Sequence, residues 1–132
     1  MNTFVLEVWD DESAKCTFYT VRWVDAEQNE TDKFFNKYDA LTEWKEATQQ
    51  LLSFVLDLYA LRINDRSDLV VLFNGGVKSS QTNHGSRDLI LKWREACQFA
   101  RRIEEALRNN EIIVDKKKRR LYSDLGDEEI FL

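Results

Sequence analysis

The densest run of cations in the chain is Lys116–Lys117–Lys118–Arg119–Arg120, with Tyr122 two positions beyond it. Five adjacent positive charges repel one another. Such a run either projects into water at a turn or faces an anion, here RNA phosphates or an acidic protein segment. Arg62, Lys78, His84 and Lys92 are further groups that can hold a phosphate or, for histidine and lysine, move a proton. Each also has a plainer reading. Arg62 is the exposed member of an alternating strand, Lys78 a solvated turn lysine, and His84 a loop residue beside Gly85.

Other chemistry is poorly served. Cys16 and Cys97 have neither a CxxC companion nor ligand spacing, so no metal or cofactor is expected, and they read as reduced thiols. Asp10–Asp11–Glu12 lacks the alternating ligands and central glycine of a calcium loop. Gly75–Gly76–Val77–Lys78–Ser79 lacks the first glycine and the spacing of a phosphate loop.

The 132 residues suffice for one domain, 1–132, and the composition, 43% hydrophobic and 33% charged, is that of a globular chain. The net charge of −5 is unevenly spread. Residues 1–68 hold 14 acidic and 7 basic side chains, whereas residues 69–126 hold 7 acidic and 12 basic. A basic half can meet nucleic acid or an acidic partner although the whole is acidic. No apolar run is long enough to span a membrane and no export signal opens the chain, so a cytoplasmic protein without membrane contact is expected.

These groups must be positioned by regular elements. Thr3–Trp9 and Cys16–Val24 read as a strand hairpin, the second strand with Phe18, Thr20 and Arg22 on one face and Tyr19, Val21 and Trp23 on the other. Thr31–Tyr38 reads as a short helix or a strand. Leu41–Asp57 has helical periodicity and runs without a loop into the strand Leu58–Ile63. Leu69–Phe73 reads as a strand covered on both faces at the sheet centre, ending in a Gly75–Gly76 turn. After a Thr82–Ser86 loop, the apolar stripe Leu89, Trp93, Ala96, Ala100, Ile103 and Leu107 predicts a helix over Asp88–Asn109. Asn109–Asn110 would close it in the left-handed conformation. Glu111–Val114, Arg119–Tyr122 and Glu129–Leu132 predict a C-terminal meander of short strands. The class is α+β, an antiparallel sheet with helices packed on it.

The order L-x-x-L-R-I (Leu58–Ile63), an apolar strand (Val70–Phe73), G-G-x-K-S-x-Q (Gly75–Gln81) and a helix resembles the RelE/HigB-like toxins of bacterial toxin–antitoxin pairs. The resemblance covers Tyr19–Gln81 and the following helix. It implies a RelE-like fold with an added N-terminal strand and C-terminal meander, and a ribosome-associated, metal-independent mRNA endoribonuclease. In that family, Lys and Arg stabilise a phosphate attacked by the 2′-OH while a Lys, His or Tyr moves protons. Carried over, the catalytic groups are Arg62, Lys78 and Tyr122. Lys116, Lys117, Lys118, Arg119, Arg120 and His84 would contact RNA or a partner. The implied partner is a cognate antitoxin of helix-turn-helix or strand-helix type. The chain departs from the family by having only Asn64–Asp68 between the L-R-I and G-G-x-K strands, where a further arginine-bearing strand is usual. That departure favours a second reading, a non-catalytic protein-binding module on the same fold; a gyrase-targeting relative is a third. The sequence sets no oligomeric state.

Overall fold

A computed structural model of the chain describes residues 3–36, 54–79 and 84–132. Seven strands are described: β1 (Phe4–Asp10), β2 (Thr17–Trp23), β3 (Phe54–Arg62), β4 (Leu69–Ser79), β5 (Ile112–Asp115), β6 (Arg120–Ser123) and β7 (Ile130–Phe131). Helix α1 begins at residue 30 and is described through residue 36; α2 spans His84–Arg108. The fold is α+β. One five-stranded sheet has the order β3-β4-β2-β1-β7, and β5 and β6 form a separate two-stranded sheet.

β4 lies inside the sheet because both its neighbours are apolar ladders. β3 pairs with it antiparallel and β2 pairs with it parallel, from Thr17 opposite Leu69 to Thr20 opposite Leu72. The sheet is thus mostly, not wholly, antiparallel. Two antiparallel hairpins, β1–β2 and β3–β4, join through β4 rather than β3, and that choice makes the joining pair parallel. As expected, Leu69, Val71, Leu72 and Phe73 are all buried.

Gly75 and Gly76 do not form the expected turn. They continue β4, opposite Leu58 and Asp57, and the ladder runs on to Ser79 opposite Phe54. Glycine permits a turn without requiring one, and the β-prone Phe54–Leu58 offers a complete partner. A bulge interrupts the pairing, since Leu58 faces Gly75 while Ala60 faces Leu72, leaving two residues of β4 opposite Tyr59. Asn74 in that bulge is buried, and its Oδ1 accepts the Gly75 N–H at 2.7 Å in place of a ladder bond. Because Phe54–Asp57 belong to β3, the expected helix Leu41–Asp57 cannot reach its predicted end; residues 41–53 lie outside the described residues.

α2 packs its inner face on Phe4, Leu6, Tyr19, Val21, Leu69, Val71 and Phe73 through Ala96, Phe99, Ile103 and Ala106. Phe99 is the hub, with ring centroids 4.9 Å from Phe4, 4.9 Å from Trp23 and 5.7 Å from Phe73. The stripe is therefore rotated from the expected one. Phe99 and Ala106 are central, whereas Trp93 is 55% exposed. The helix also starts at His84 rather than Asp88, absorbing Gly85 and Ser86 from the expected loop. Its end is as anticipated. Asn110 takes φ 59°, and the Glu111 N–H reaches back to Ala106 O at 2.8 Å, closing the last turn.

The C-terminal strands are not a meander. β5 and β6 form their own hairpin, whose Leu121 is fully buried under the Tyr19 hydroxyl. That hydroxyl accepts the Leu121 N–H at 2.7 Å and donates to Leu121 O at 3.4 Å. Ser123 Oγ then accepts the N–H groups of Leu125 and Asp127, at 3.2 and 3.0 Å, around Gly126 at φ 90°. This turn redirects β7 to the outer edge of β1.

Candidate functional site

The register of β3 on β4 decides which anticipated residues can act together. Arg62 pairs with Val70 and Lys78 with Val55. Val70 and Lys78 are eight residue steps apart along β4, about 26 Å at 3.3 Å per step. Arg62 and Lys78 therefore stand at opposite ends of the β3–β4 ribbon, and one phosphate cannot touch both. His84 opens α2. Tyr122 is half-buried on β6, directly across from Ile113 of β5.

The basic run forms the tip of the β5–β6 hairpin, where Asp115 Oδ1 caps the N–H groups of Lys117 and Lys118 at 3.1 and 3.0 Å. Part of its charge is answered within the molecule. Arg120 pairs with Asp11, and Arg119, at φ 53°, donates to the Ala14 carbonyl. The Arg120 guanidinium holds the Asp11 carboxyl below its ordinary value, chiefly through the hydrogen bond. Arg66, bidentate to Asp68 at 2.8 and 2.7 Å, adds a bond to Lys116 O at 3.1 Å. The acidic β1–β2 loop thus receives its own hairpin, leaving Lys116, Lys117 and Lys118 exposed.

Two clusters that sequence reading missed carry the unusual chemistry. The first joins α1, the sheet and α2. Thr31 Oγ1 lies 2.7 Å from Thr20 Oγ1 and 3.1 Å from both Leu72 O and Phe73 O, so the start of α1 is seated on the parallel β2–β4 pair. Beside it Glu30, only 3% exposed, has Lys33 Nζ 3.0 Å from Oε2. Glu95 of α2 completes the group. Burial, and then the hydrogen bond and charge of Glu30, push its pKa up to about 7. Burial alone would raise Glu30 as well. The hydrogen bonds of Glu95 and Lys33 and the charges of Lys33 and Lys92 outweigh it and hold Glu30 below its ordinary value. The pair accordingly holds one proton, on Glu95, in mildly acid solution and releases it as pH rises through about 7. One sequence signal was available: Glu95 precedes Phe99 by four residues and so lies on the apolar face of α2.

The second is a cleft of about 580 Å³ between β3, the turn after it, the C-terminal end of α2 and β5. Its floor is Leu61, Leu107 and Ile112; Arg62, Arg108, Asn64, Asn110, Asp65 and Glu104 stand around it. Ile113 forms part of one wall, which puts Tyr122 one cross-strand step away.

Comparison with protein-family models, curated proteins and solved structures returns no match. Function therefore rests on the residues themselves. Among the described residues no group of three or more His, Cys, Asp or Glu could hold a metal ion, and no helix is long and apolar enough to cross a membrane.

Proposed function

We propose that this chain is a protein-binding module on a RelE/HigB-like toxin scaffold, and that the outer face of α2 takes the partner. The supporting observation is the surface of Ile90, Leu91 and Trp93, which are 51, 63 and 55% exposed. The Trp93 ring is held edge-on to Tyr59 at 5.2 Å, so it is presented rather than loose. Ile90 and Trp93, three positions apart, share one face of the helix, with Leu91 beside Ile90. Large apolar side chains left in water mark a contact surface, and tryptophan is the residue type that most often dominates one.

The flanking charge sets the partner's chemistry. Arg94, Gln98 and Arg101 are the other exposed residues of α2 between Ile90 and Ile103, and none is acidic. An acidic amphipathic segment, of the kind an antitoxin lays on its toxin, fits this face. A binding role also needs no assembled catalytic group, which accords with the separation of Arg62 from Lys78.

The test is co-expression of the tagged chain with the short protein encoded by the adjacent gene. A stable complex is expected, with Trp93→Ala and Ile90→Ser together weakening it by about a hundredfold at unchanged melting temperature. A complex indifferent to both changes, or no complex at all, refutes the proposal.

A further inference from the structure

The cleft between β3 and the C-terminal end of α2 has a composition that the protein-binding role does not explain. Arg62 and Arg108 are exposed, and no ion pair to either is found among the described residues. Among the other described arginines, Arg22, Arg66, Arg102 and Arg120 each have a carboxylate within 3.2 Å, while Arg94, Arg101 and Arg119 have no ion pair among the described residues but do not line this cleft. Two unpaired guanidiniums on one concavity form a dianion receptor, because each offers a planar fork matched to phosphate oxygens.

The remaining lining makes the ligand more than an anion. Asp65 and Glu104 are carboxylates in the same cleft, so its formal charge is balanced. The carbonyl end of α2 adds partial negative charge. Bare phosphate would meet repulsion there. A ligand with a phosphate at one end and hydrogen-bond donors at the other satisfies both pairs. Asn64 and Asn110 add two carboxamides that can both donate and accept. Leu61, Leu107 and Ile112 supply an apolar floor for a flat ring, and about 580 Å³ accommodates a small organic molecule. Three of the four non-glycine residues with positive φ among those described line this cleft: Asn64 at 51°, Asp65 at 60° and Asn110 at 59°.

We infer that this cleft binds a nucleoside monophosphate, with Arg62 and Arg108 on the phosphate, the base over Leu61 and Leu107, and Asp65 or Glu104 accepting from base or ribose donors. The site is independent of the Trp93 surface.

The test is calorimetric titration of the full chain with AMP, GMP, CMP, UMP and inorganic phosphate. At least one nucleotide is expected to bind at micromolar to sub-millimolar concentration, and at least about tenfold tighter than inorganic phosphate. Arg62→Ala and Arg108→Ala should each weaken it by about tenfold or more with the melting temperature unchanged. Leu107→Ala should weaken the nucleotide while leaving phosphate unaffected. Should Leu107→Ala compromise folding, methyl and amide chemical shifts of the parent chain give the same answer. Shifts confined to Leu61, Leu107, Ile112 and Asn110 support the site. No binding by any nucleotide at millimolar concentration overturns the inference, as does phosphate binding equally well or nucleotide binding that survives both arginine changes.

Discussion

Glu95→Gln isolates the proton shared between α1 and α2. Glutamine keeps the shape of the protonated acid and can still donate to Glu30, but it does not titrate. The pKa of Glu95 stands at about 7 against an ordinary 4.5, a difference worth about 3 kcal/mol if all of it were expressed. Two effects reduce this. Glu95 is only half-buried, and Glu30 moves in the opposite direction. About 1–2 kcal/mol is a reasonable expectation. The sign follows from linkage. A raised carboxyl pKa means that the folded form binds the proton more tightly, so the contribution is full below 4.5 and is lost as pH rises through about 7. The groups whose pKa is lowered by ion pairs, Asp11, Asp68 and Glu111, act below their ordinary values and leave this window clear. Thermal unfolding from pH 5 to pH 8 is the assay. The parent should lose about 1–2 kcal/mol across the range, roughly 3–8 °C in Tm, and Glu95→Gln should lose much less. Parent and variant curves that run parallel would refute the shared proton.

Val71→Asp places a carboxylate without a partner at a fully buried position of β4 and should leave no cooperative melting transition; a soluble variant that melts cooperatively would show β4 is not central. Tyr19→Phe leaves the buried Leu121 N–H without its acceptor and should cost about 1–3 kcal/mol in urea unfolding, with faster amide exchange in β5 and β6. Asn110→Ala removes the short carboxamide that eases asparagine into the left-handed region at the end of α2 and should cost about 1 kcal/mol in urea unfolding, while Asn110→Gly should be neutral by the same assay. Lys116, Lys117 and Lys118 together replaced by serine should leave folding intact, because the hairpin is held by Asp115, Arg119 and Arg120 instead; circular dichroism and thermal melting check it.

What could be read from the chain divides by range. The alternation of Tyr19, Val21 and Trp23, the double-sided burial of Leu69–Phe73 and the close of α2 at Asn110 are set by residues within a few positions of one another, and each was legible. Gly75–Gly76 was not, since whether two glycines turn or continue depends on the partner strand Phe54–Leu58. Phe99 was overlooked as the hub because Trp93 and Leu107 make an equally regular stripe; only the sheet selects between them. For the candidate sites the limit is sharper. Glu30 lies in a polar stretch and Glu95 on a charged helix, and nothing local says that 65 residues of chain bring them together. Arg62 stood out as a strand arginine, but its neighbour Arg108 belongs to another element altogether.

The parallel pairing of β2 with β4 bears on how the chain acquires its structure. The β1–β2, β3–β4 and β5–β6 hairpins each join strands close in sequence and can form on the microsecond scale. Joining Thr17 to Leu69 closes a loop of about fifty residues before any ladder bond rewards it. That step should set the folding rate, placing the protein among slower, high-contact-order domains. Until it happens, the inner edges of β2 and β4 are open, each bearing a row of unpaired amides beside Tyr19, Val21, Val71 and Phe73. Two molecules that meet in that interval can exchange edges, so refolding yield should fall with protein concentration even though the finished fold buries both strands.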